Sequence, residues 1–161
     1  MERLWAPWRM QYVGVEQKPG CLFDRVISDP EDEDARLVVW RPKGAIVLLN
    51  KFPYNPGHAM VAPLAHKATL EELSDSEMSD VMRAVKRTLA VLKAVMNPDG
   101  LNVGVNIGRA AGAGIPDHVH FHVVPRWNGD TNFMAVIDDV KVVNEALVET
   151  AEKLRKAFAA T

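Results

Sequence analysis

Three histidines, His118, His120 and His122, alternate with apolar residues in the segment 118–124. This period of two is typical of a half-buried strand. Successive side chains of a strand point to opposite faces, so the three imidazoles share one face, with neighbours roughly 6.5 Å apart at the backbone. The glycine-rich segment 108–114 precedes them, and such a loop lets backbone N–H groups approach an anion. A row of imidazoles beside such a loop indicates nucleophilic or acid–base chemistry on a phosphate.

Two other interpretations of the three histidines stay open at this stage. Imidazoles two residues apart on a strand can converge on one metal ion, and three nitrogen ligands suit a catalytic zinc. The histidines could also be structural, although burial of three imidazoles leaves three sets of hydrogen-bonding groups to satisfy. We rank a nucleophilic or acid–base site first, a metal site second and a structural role third.

The composition is that of a soluble globular protein. The chain has 161 residues and a formal net charge of −2, whereas a general nucleic-acid or membrane-surface binder needs a basic excess. No apolar run approaches the roughly 20 residues of a membrane helix. The single cysteine, Cys21, cannot form an internal disulfide, and segment 1–5 lacks the layout of a signal peptide. We therefore expect a cytoplasmic protein without nucleic-acid or membrane partners.

Short apolar runs and alternating patterns predict five strands, of which the first three are consecutive, as in an antiparallel meander. They cover 37–40, 45–49, 58–62, 101–107 and the histidine segment 118–124. A capping box at Ser74 and Glu77 predicts the start of one long amphipathic helix, and apolar spacing predicts a second helix over 144–158. The fold class is therefore α+β, with helices that cover one face of an antiparallel sheet.

The chain shows no linker and no internal repeat, which predicts one domain over residues 1–161. We divide this domain into a core at 37–126, an N-terminal arm at 1–36 and a C-terminal extension at 127–161.

The segment 118–124 resembles the motif of the histidine-triad (HIT) superfamily, which has hydrophobic residues between its histidines. Two further segments are similar to the first nucleotide-binding hairpin of the Fhit-like branch and to the loop before its triad. The hairpin corresponds to Leu48-Leu49-Asn50-Lys51 followed by Pro56-Gly57-His58-Ala59-Met60-Val61. The loop before the triad corresponds to Asn106-Ile107-Gly108 followed by Ala111-Gly112. Trp5-Ala6-Pro7-Trp8-Arg9 and the segment 125–133 resemble the bacterial diadenosine polyphosphate hydrolases or phosphorylases.

This resemblance implies a HIT-like fold and an enzyme that cleaves dinucleoside polyphosphates at the α-phosphorus through a nucleotidyl-histidine. It implies that His120 is the nucleophile and that His122 binds the phosphate or leaving-group oxygens. It further implies that His118 holds the site together by hydrogen bonds, with His58 nearby. Imidazole suits this role, because it titrates near neutrality and is partly unprotonated without a separate strong base.

The resemblance also assigns the nucleotide contacts. It implies that Asn50 binds the ribose and that Leu48 and Met60 pack on the base. Asn106 is expected at the scissile phosphate or leaving-group oxygen. Backbone N–H groups of the glycine loop, which includes Gly112 and Gly114, are expected to bind phosphate oxygens together with Asn106 and His122.

No metal is required by this scheme, and magnesium is expected only as a companion of the substrate polyphosphate. Several relatives bind structural zinc through two cysteines three residues apart, whereas this chain has Cys21 and Asp24 at those positions. An alternative zinc set is therefore Cys21, Asp24, His66 and His118, since zinc also accepts carboxylate oxygen. The resemblance further implies a homodimer, for which Trp5, Trp8 and Trp127 give weak support because aromatic residues are enriched at interfaces.

The acceptor of the nucleotidyl group stays open between water, which gives a hydrolase, and orthophosphate, which gives a phosphorylase. A nucleoside phosphoramidase is the other enzymatic alternative. A nucleotide-binding sensor without turnover is the non-enzymatic one.

Overall fold

The computed structural model describes residues 18–130 and 146–160, and these form a five-stranded antiparallel sheet with three α-helices. The strands are β1 (Val38–Trp40), β2 (Ala45–Leu49), β3 (Ala59–Pro63), β4 (Gly100–Val105) and β5 (Phe121–Arg126). The helices are α1 (Leu22–Ser28), α2 (Asp75–Met96) and α3 (Leu147–Ala159). None of the described helices is long and apolar enough to cross a membrane. The predicted α+β class with five strands is confirmed.

The strand order is β1-β2-β3-β5-β4, and every pair of neighbours is antiparallel. The first three strands therefore form the predicted meander, and β5 lies between β3 and β4. In this register His122 of β5 is opposite Met60 on one side and Gly104 on the other. The strand order thus places the last histidine of the triad near the middle of the sheet, with β4 at its edge.

The inner strands β2 and β3 are buried on both faces, and β2 shows how its sequence permits this. Val47 and Leu49 belong to the core that α2 and α3 cover, whereas Ile46 and Leu48 belong to a second core on the opposite face. The two predicted helices thus cover one face. The opposite face is covered by α1, which the sequence analysis did not predict. A helix of seven residues offers too little periodicity to be recognised.

The long helix α2 begins as its sequence predicts. The Ser74 side chain accepts from the Glu77 backbone N–H, and the Glu77 carboxylate accepts from the Ser74 backbone N–H. The helix ends at Asn97, a residue with a left-handed φ of 47°. Of the predicted helix over 144–158, the structure describes α3 from Leu147, and its Ala151, Leu154 and Phe158 are buried in the core.

The triad strand is shorter than predicted. Only His122 lies in β5, because the strand begins at Phe121. The two earlier histidines lie in extended chain before it, held by the loop after β3 instead of by a strand. The Val119 N–H donates to the carbonyl of Lys67 at 2.7 Å. Pro63, the last residue of β3, has no N–H for a strand ladder, which favours the end of strand pairing here.

Candidate active site

The first two histidines of the triad are buried beneath α1. His118 is 0% exposed and His120 is 2% exposed. The ring of Phe23, from α1, lies 4.8 Å from the His118 ring and 5.1 Å from the His120 ring, centre to centre. The two imidazoles are therefore held rigidly, and their polar atoms need partners within the protein.

A first series of hydrogen bonds fixes where the proton of His120 lies. His118 Nε2 donates to the carbonyl of Pro63 at 2.9 Å, and His120 Nδ1 donates to the carbonyl of His118 at 2.8 Å. A carbonyl oxygen only accepts, so Nδ1 of His120 carries the proton of the neutral ring. The other nitrogen, Nε2, then keeps a lone pair. This tautomer can act as a nucleophile without first losing a proton.

A second series of hydrogen bonds fixes the opposite tautomer at His122. The backbone N–H of Tyr54 donates to His58 Nδ1 at 3.1 Å, so this nitrogen is unprotonated. His58 Nε2 therefore carries the proton and donates to His122 Nδ1 at 2.9 Å. The proton of neutral His122 is thus left on Nε2. His120 and His122, with ring centres 4.8 Å apart, offer a lone pair and a donor side by side.

Burial keeps these imidazoles neutral. Burial lowers the pKa of His120, and this outweighs the hydrogen bond to the His118 carbonyl, which raises it. Burial also lowers the pKa of His122 to about 4, with a smaller contribution from the charge that His120 would carry. Both rings are therefore neutral at pH 7, so that each carries one proton, as the two tautomers require.

A cavity of about 390 Å³ opens beside His122 over β4 and β5. Asn106, which follows β4, is one of the residues that line it, and its role at the scissile phosphate stays a prediction. Its lining is Tyr54, Asn55, Asn102, Val103, Gly104, Asn106, His122, Val124 and Arg126. A cavity of this size holds more than one phosphate group, since a water molecule occupies about 30 Å³ of liquid.

The other predicted nucleotide-binding residues lie outside this cavity. Leu48 and Met60 are 1% and 4% exposed, and they pack in the core beneath α1. Asn50 follows β2, and its side-chain oxygen accepts from the Phe52 N–H at 2.9 Å. The roles of these residues toward base and ribose stay predictions.

The glycine loop contains a short 3-10 helix, Arg109–Ala111, which ends at Gly112 with a φ of +88°. Gly114 is exposed, and the next residue, Ile115, packs against the core beneath α1. The loop therefore returns toward the face of the sheet that carries the triad. Phosphate binding by the N–H groups of Gly112 and Gly114 stays a prediction.

The four residues of the alternative zinc set come together beside the triad. Their ligand atoms, from Cys21, Asp24, His66 and His118, all lie within 4.8 Å of one another. His118 Nδ1 is 3.4 Å from both Cys21 Sγ and Asp24 Oδ1, and His66 Nδ1 is 2.7 Å from Asp24 Oδ2. Because His118 Nε2 donates to Pro63, its Nδ1 keeps a lone pair toward this cluster. One sulfur, one oxygen and two nitrogens form a set that fits zinc.

Three groups around the cavity were missed by the sequence analysis. Tyr54 stacks on His58 with ring centres 4.6 Å apart. Asn55 is buried and donates to the carbonyl of Pro125 and to Asp130. Arg126 closes the far end of the cavity. Tyr54 and Asn55 lie between two segments that carry the resemblance. Arg126 lies in the segment 125–133, whose resemblance assigned no role to its individual residues.

The comparisons with known proteins agree with this geometry. Residues 31–129 match the model of the HIT domain. The AP-4-A phosphorylase of Mycobacterium tuberculosis is 39% identical over 167 residues, which cover 99% of this chain and 85% of the relative. The asymmetrical bis(5'-nucleosyl)-tetraphosphatase of Schizosaccharomyces pombe is 33% identical over 58% of this chain and 50% of its own length.

A solved structure of a hypothetical histidine triad nucleotide-binding protein from Sulfolobus tokodaii has a TM-score of 0.71 and 26% identity to this chain. The match covers 87% of this chain and 93% of the other. With a match to the domain model over most of the chain and a full-length relative at this level of identity, the protein belongs to the HIT-domain family.

Proposed function

We propose that this protein is an enzyme that cleaves diadenosine tetraphosphate at an α-phosphorus and transfers the adenylyl group through His120 to orthophosphate. The observation that carries the proposal is the pair of opposite tautomers at His120 and His122. These supply an unprotonated nucleophile beside a neutral hydrogen-bond donor. Two-step transfer through a covalent intermediate needs both groups.

In the first step, His120 Nε2 attacks the α-phosphorus and forms a P–N bond while the bond to the bridging oxygen breaks. The departing group from diadenosine tetraphosphate is ATP. His122 Nε2–H lies on the side of the site next to the cavity, where it can donate to the departing oxygen. The positive charge that develops on the His120 ring is stabilised by its Nδ1–H bond to the His118 carbonyl.

In the second step, an acceptor oxygen attacks the same phosphorus and the P–N bond breaks, which returns His120 to its neutral form. Orthophosphate as acceptor gives ADP, and water gives AMP. Asn106 and N–H groups of the 108–114 loop are the proposed donors to the phosphoryl oxygens in both steps. We place magnesium with the substrate polyphosphate, as the sequence analysis expects.

We propose orthophosphate as the acceptor instead of water because the relative that matches over the full chain is named an AP-4-A phosphorylase. The match to the tetraphosphatase covers only about half of each chain. The test is to incubate diadenosine tetraphosphate with and without orthophosphate and to separate the products. We expect ATP and ADP in equal amounts, with turnover dependent on phosphate. AMP as the main product in the presence of phosphate would replace this proposal by hydrolysis.

We propose further that the active form is a homodimer joined along β4. This strand is at the edge of the sheet, paired on one side to β5. The apolar residues Val103 and Ile107 on and after it are 44% and 39% exposed, and an unpaired edge with apolar side chains favours association. Trp5 and Trp8, which were also expected at an interface, lie outside the described residues. Trp127 is partly buried.

The cluster of Cys21, Asp24, His66 and His118 is proposed to hold a structural zinc, in place of the metal-free expectation from the sequence. A bound ion would link α1 to the loop after β3 and to the first histidine of the triad. Its contribution would be rigidity, because His118 also accepts the hydrogen bond that orients His120. A cytoplasmic location, which a lone cysteine favours, stays part of the proposal.

A further inference from the structure

The cavity beside His122 is elongated along the strands, and one cation lies at its far end. His122, Val124 and Arg126 alternate on one face of β5, and Gly104 and Asn102 are opposite the first two of them. From His122 to Arg126 the backbone advances by about 13 Å. Among the residues that line this groove, Arg126 alone carries a positive charge.

The Arg126 side chain turns back along the groove toward His122. Its Nη1 donates to Asn102 Oδ1 at 2.9 Å, although Asn102 is opposite Val124 and Arg126 itself is opposite Gly100. The guanidinium therefore lies nearer to His122 than the Arg126 backbone does, by about two residues along the strand.

The guanidinium is held in this position and keeps donors for a ligand. Nε and Nη2 donate to the two carboxylate oxygens of Asp130 at 2.6 and 2.8 Å. Asp130 in turn accepts from Asn55 at 2.7 Å and from the Trp127 N–H at 3.2 Å. Within the described residues, the bonds to Asp130 and Asn102 use three of the five N–H donors of Arg126. A fixed guanidinium with two further N–H groups suits a phosphate, which arginine binds with planar, directed bonds.

We propose that this groove holds the departing polyphosphate and that Arg126 binds the phosphates beyond the one attacked. The proposal rests on the proposed function, because it needs a leaving group longer than one phosphate. Phosphoryl transfer places the attacking and departing atoms roughly in line. The attacking nitrogen belongs to His120, so the leaving group extends past His122 and away from His120, which is the direction of Arg126.

Gly104 forms the floor of this groove. It is opposite His122, and a Cβ built on it would have no atom within 4 Å. The residue therefore leaves the path from His122 to Asn102 open. A side chain here would enter the groove without clashing with the protein, so a substitution at Gly104 can block the groove and leave the fold intact.

The experiment compares two ligands, diadenosine tetraphosphate and AMP. AMP carries the base, ribose and α-phosphate of the substrate and lacks a leaving group. In Arg126→Gln we expect kcat/KM for diadenosine tetraphosphate to fall about 10- to 100-fold, as for the loss of a charged hydrogen bond. The dissociation constant of AMP, measured by calorimetry, should change less than threefold. Gly104→Val should give the same pattern, and Arg126→Lys a smaller loss.

The matched control is Lys86→Gln, which removes one positive charge from an exposed position on α2. It should leave both quantities unchanged and so exclude a general effect of net charge. If Arg126→Gln weakens AMP binding as much as it lowers kcat/KM for diadenosine tetraphosphate, Arg126 supports the Asp130 turn and the proposal is overturned. Unchanged kcat/KM for diadenosine tetraphosphate in both Arg126→Gln and Gly104→Val would also overturn it. If the wild-type protein fails to cleave diadenosine tetraphosphate at all, the proposed function fails before this comparison is reached.

Discussion

Two adjacent histidines with opposite tautomers are the smallest unit that explains the chemistry of this site. The tautomer of His120 is set by a carbonyl two residues earlier, and that of His122 by His58. The sequence motif predicts which residues share a face. It does not predict these bonds, because the groups that terminate them lie far from the motif in sequence. The Tyr54 N–H comes from the loop before β3, and the Pro63 carbonyl comes from the end of β3.

We expect His58 to act through His122, to which it is hydrogen-bonded, and a double-mutant cycle measures this. His58→Ala should lower kcat about 10- to 100-fold, because His122 then loses the partner that keeps its proton on Nε2. In a His122→Asn background the same change should have little further effect. Losses that simply multiply in the double variant would show that His58 acts independently of His122.

The low pKa of His122 predicts that the protein loses stability in mild acid. Its pKa is about 4 in the folded protein against an ordinary value of 6.5, so between these values the unfolded chain binds more protons. Stability therefore falls as pH decreases through this window, by up to about 1.4 kcal/mol per pH unit and on the order of 3 kcal/mol in total for this residue. Urea unfolding of wild type and His122→Asn from pH 7 to 4 measures this slope. An equal slope in the two proteins would contradict the assignment.

At the scale of elements, the sequence predicts long, strongly patterned segments and misses short ones. The long helix is predicted because Ser74 and Glu77 form a capping box before a sustained apolar stripe. The five strands are predicted from short apolar runs and from alternation, apart from residues 118–120, which lie before β5. The helix α1 is missed, although Phe23 in it contacts both buried histidines, because a contact between distant segments leaves no periodic signal.

The link between α1 and the triad predicts that metal stabilises the fold. Protein purified without chelator should contain about one zinc per chain by elemental analysis, and removal of it should lower Tm by about 5–10 °C. Asp24→Ala should lose most of the zinc, because this carboxylate is one of the four donors.

The matched control is Glu31→Ala, an exposed acidic residue just beyond α1, which should retain the metal. Zinc content and Tm that are the same in wild type and Asp24→Ala would contradict the proposed site.

At the scale of the whole molecule, the α+β class and the single sheet follow from the order of the patterned segments. The position of β5 between β3 and β4 does not, because register and strand order depend on pairing between distant segments. Part of the candidate site is also predicted from the sequence. The motif gives the three histidines, and the resemblance of two further segments gives His58 and Asn106. Arg126 and Tyr54 join them only through this pairing of strands and loops.

The exposed edge of the sheet predicts a dimer that one substitution can dissociate. Wild type should elute with twice the 17.8 kDa mass of the chain in size-exclusion chromatography with light scattering. Val103→Asp should give the monomer, because it places a charge in the apolar contact along β4. Val148→Asp, which changes an apolar residue of α3 that is 41% exposed, is the matched control and should remain a dimer. A wild-type monomer at micromolar concentration would contradict the proposal.

The covalent intermediate at His120 is the central claim, and rapid-quench mass spectrometry tests it most directly. Diadenosine tetraphosphate is mixed with the protein without orthophosphate, so that the second step is slow, and the reaction is stopped in base, digested and analysed. The predicted result is one adenylyl group on the peptide that contains His120, formed together with ATP and removed as ADP when orthophosphate is added. Turnover by the wild-type protein without any adduct at this residue, or full activity of His120→Ala, would contradict the mechanism.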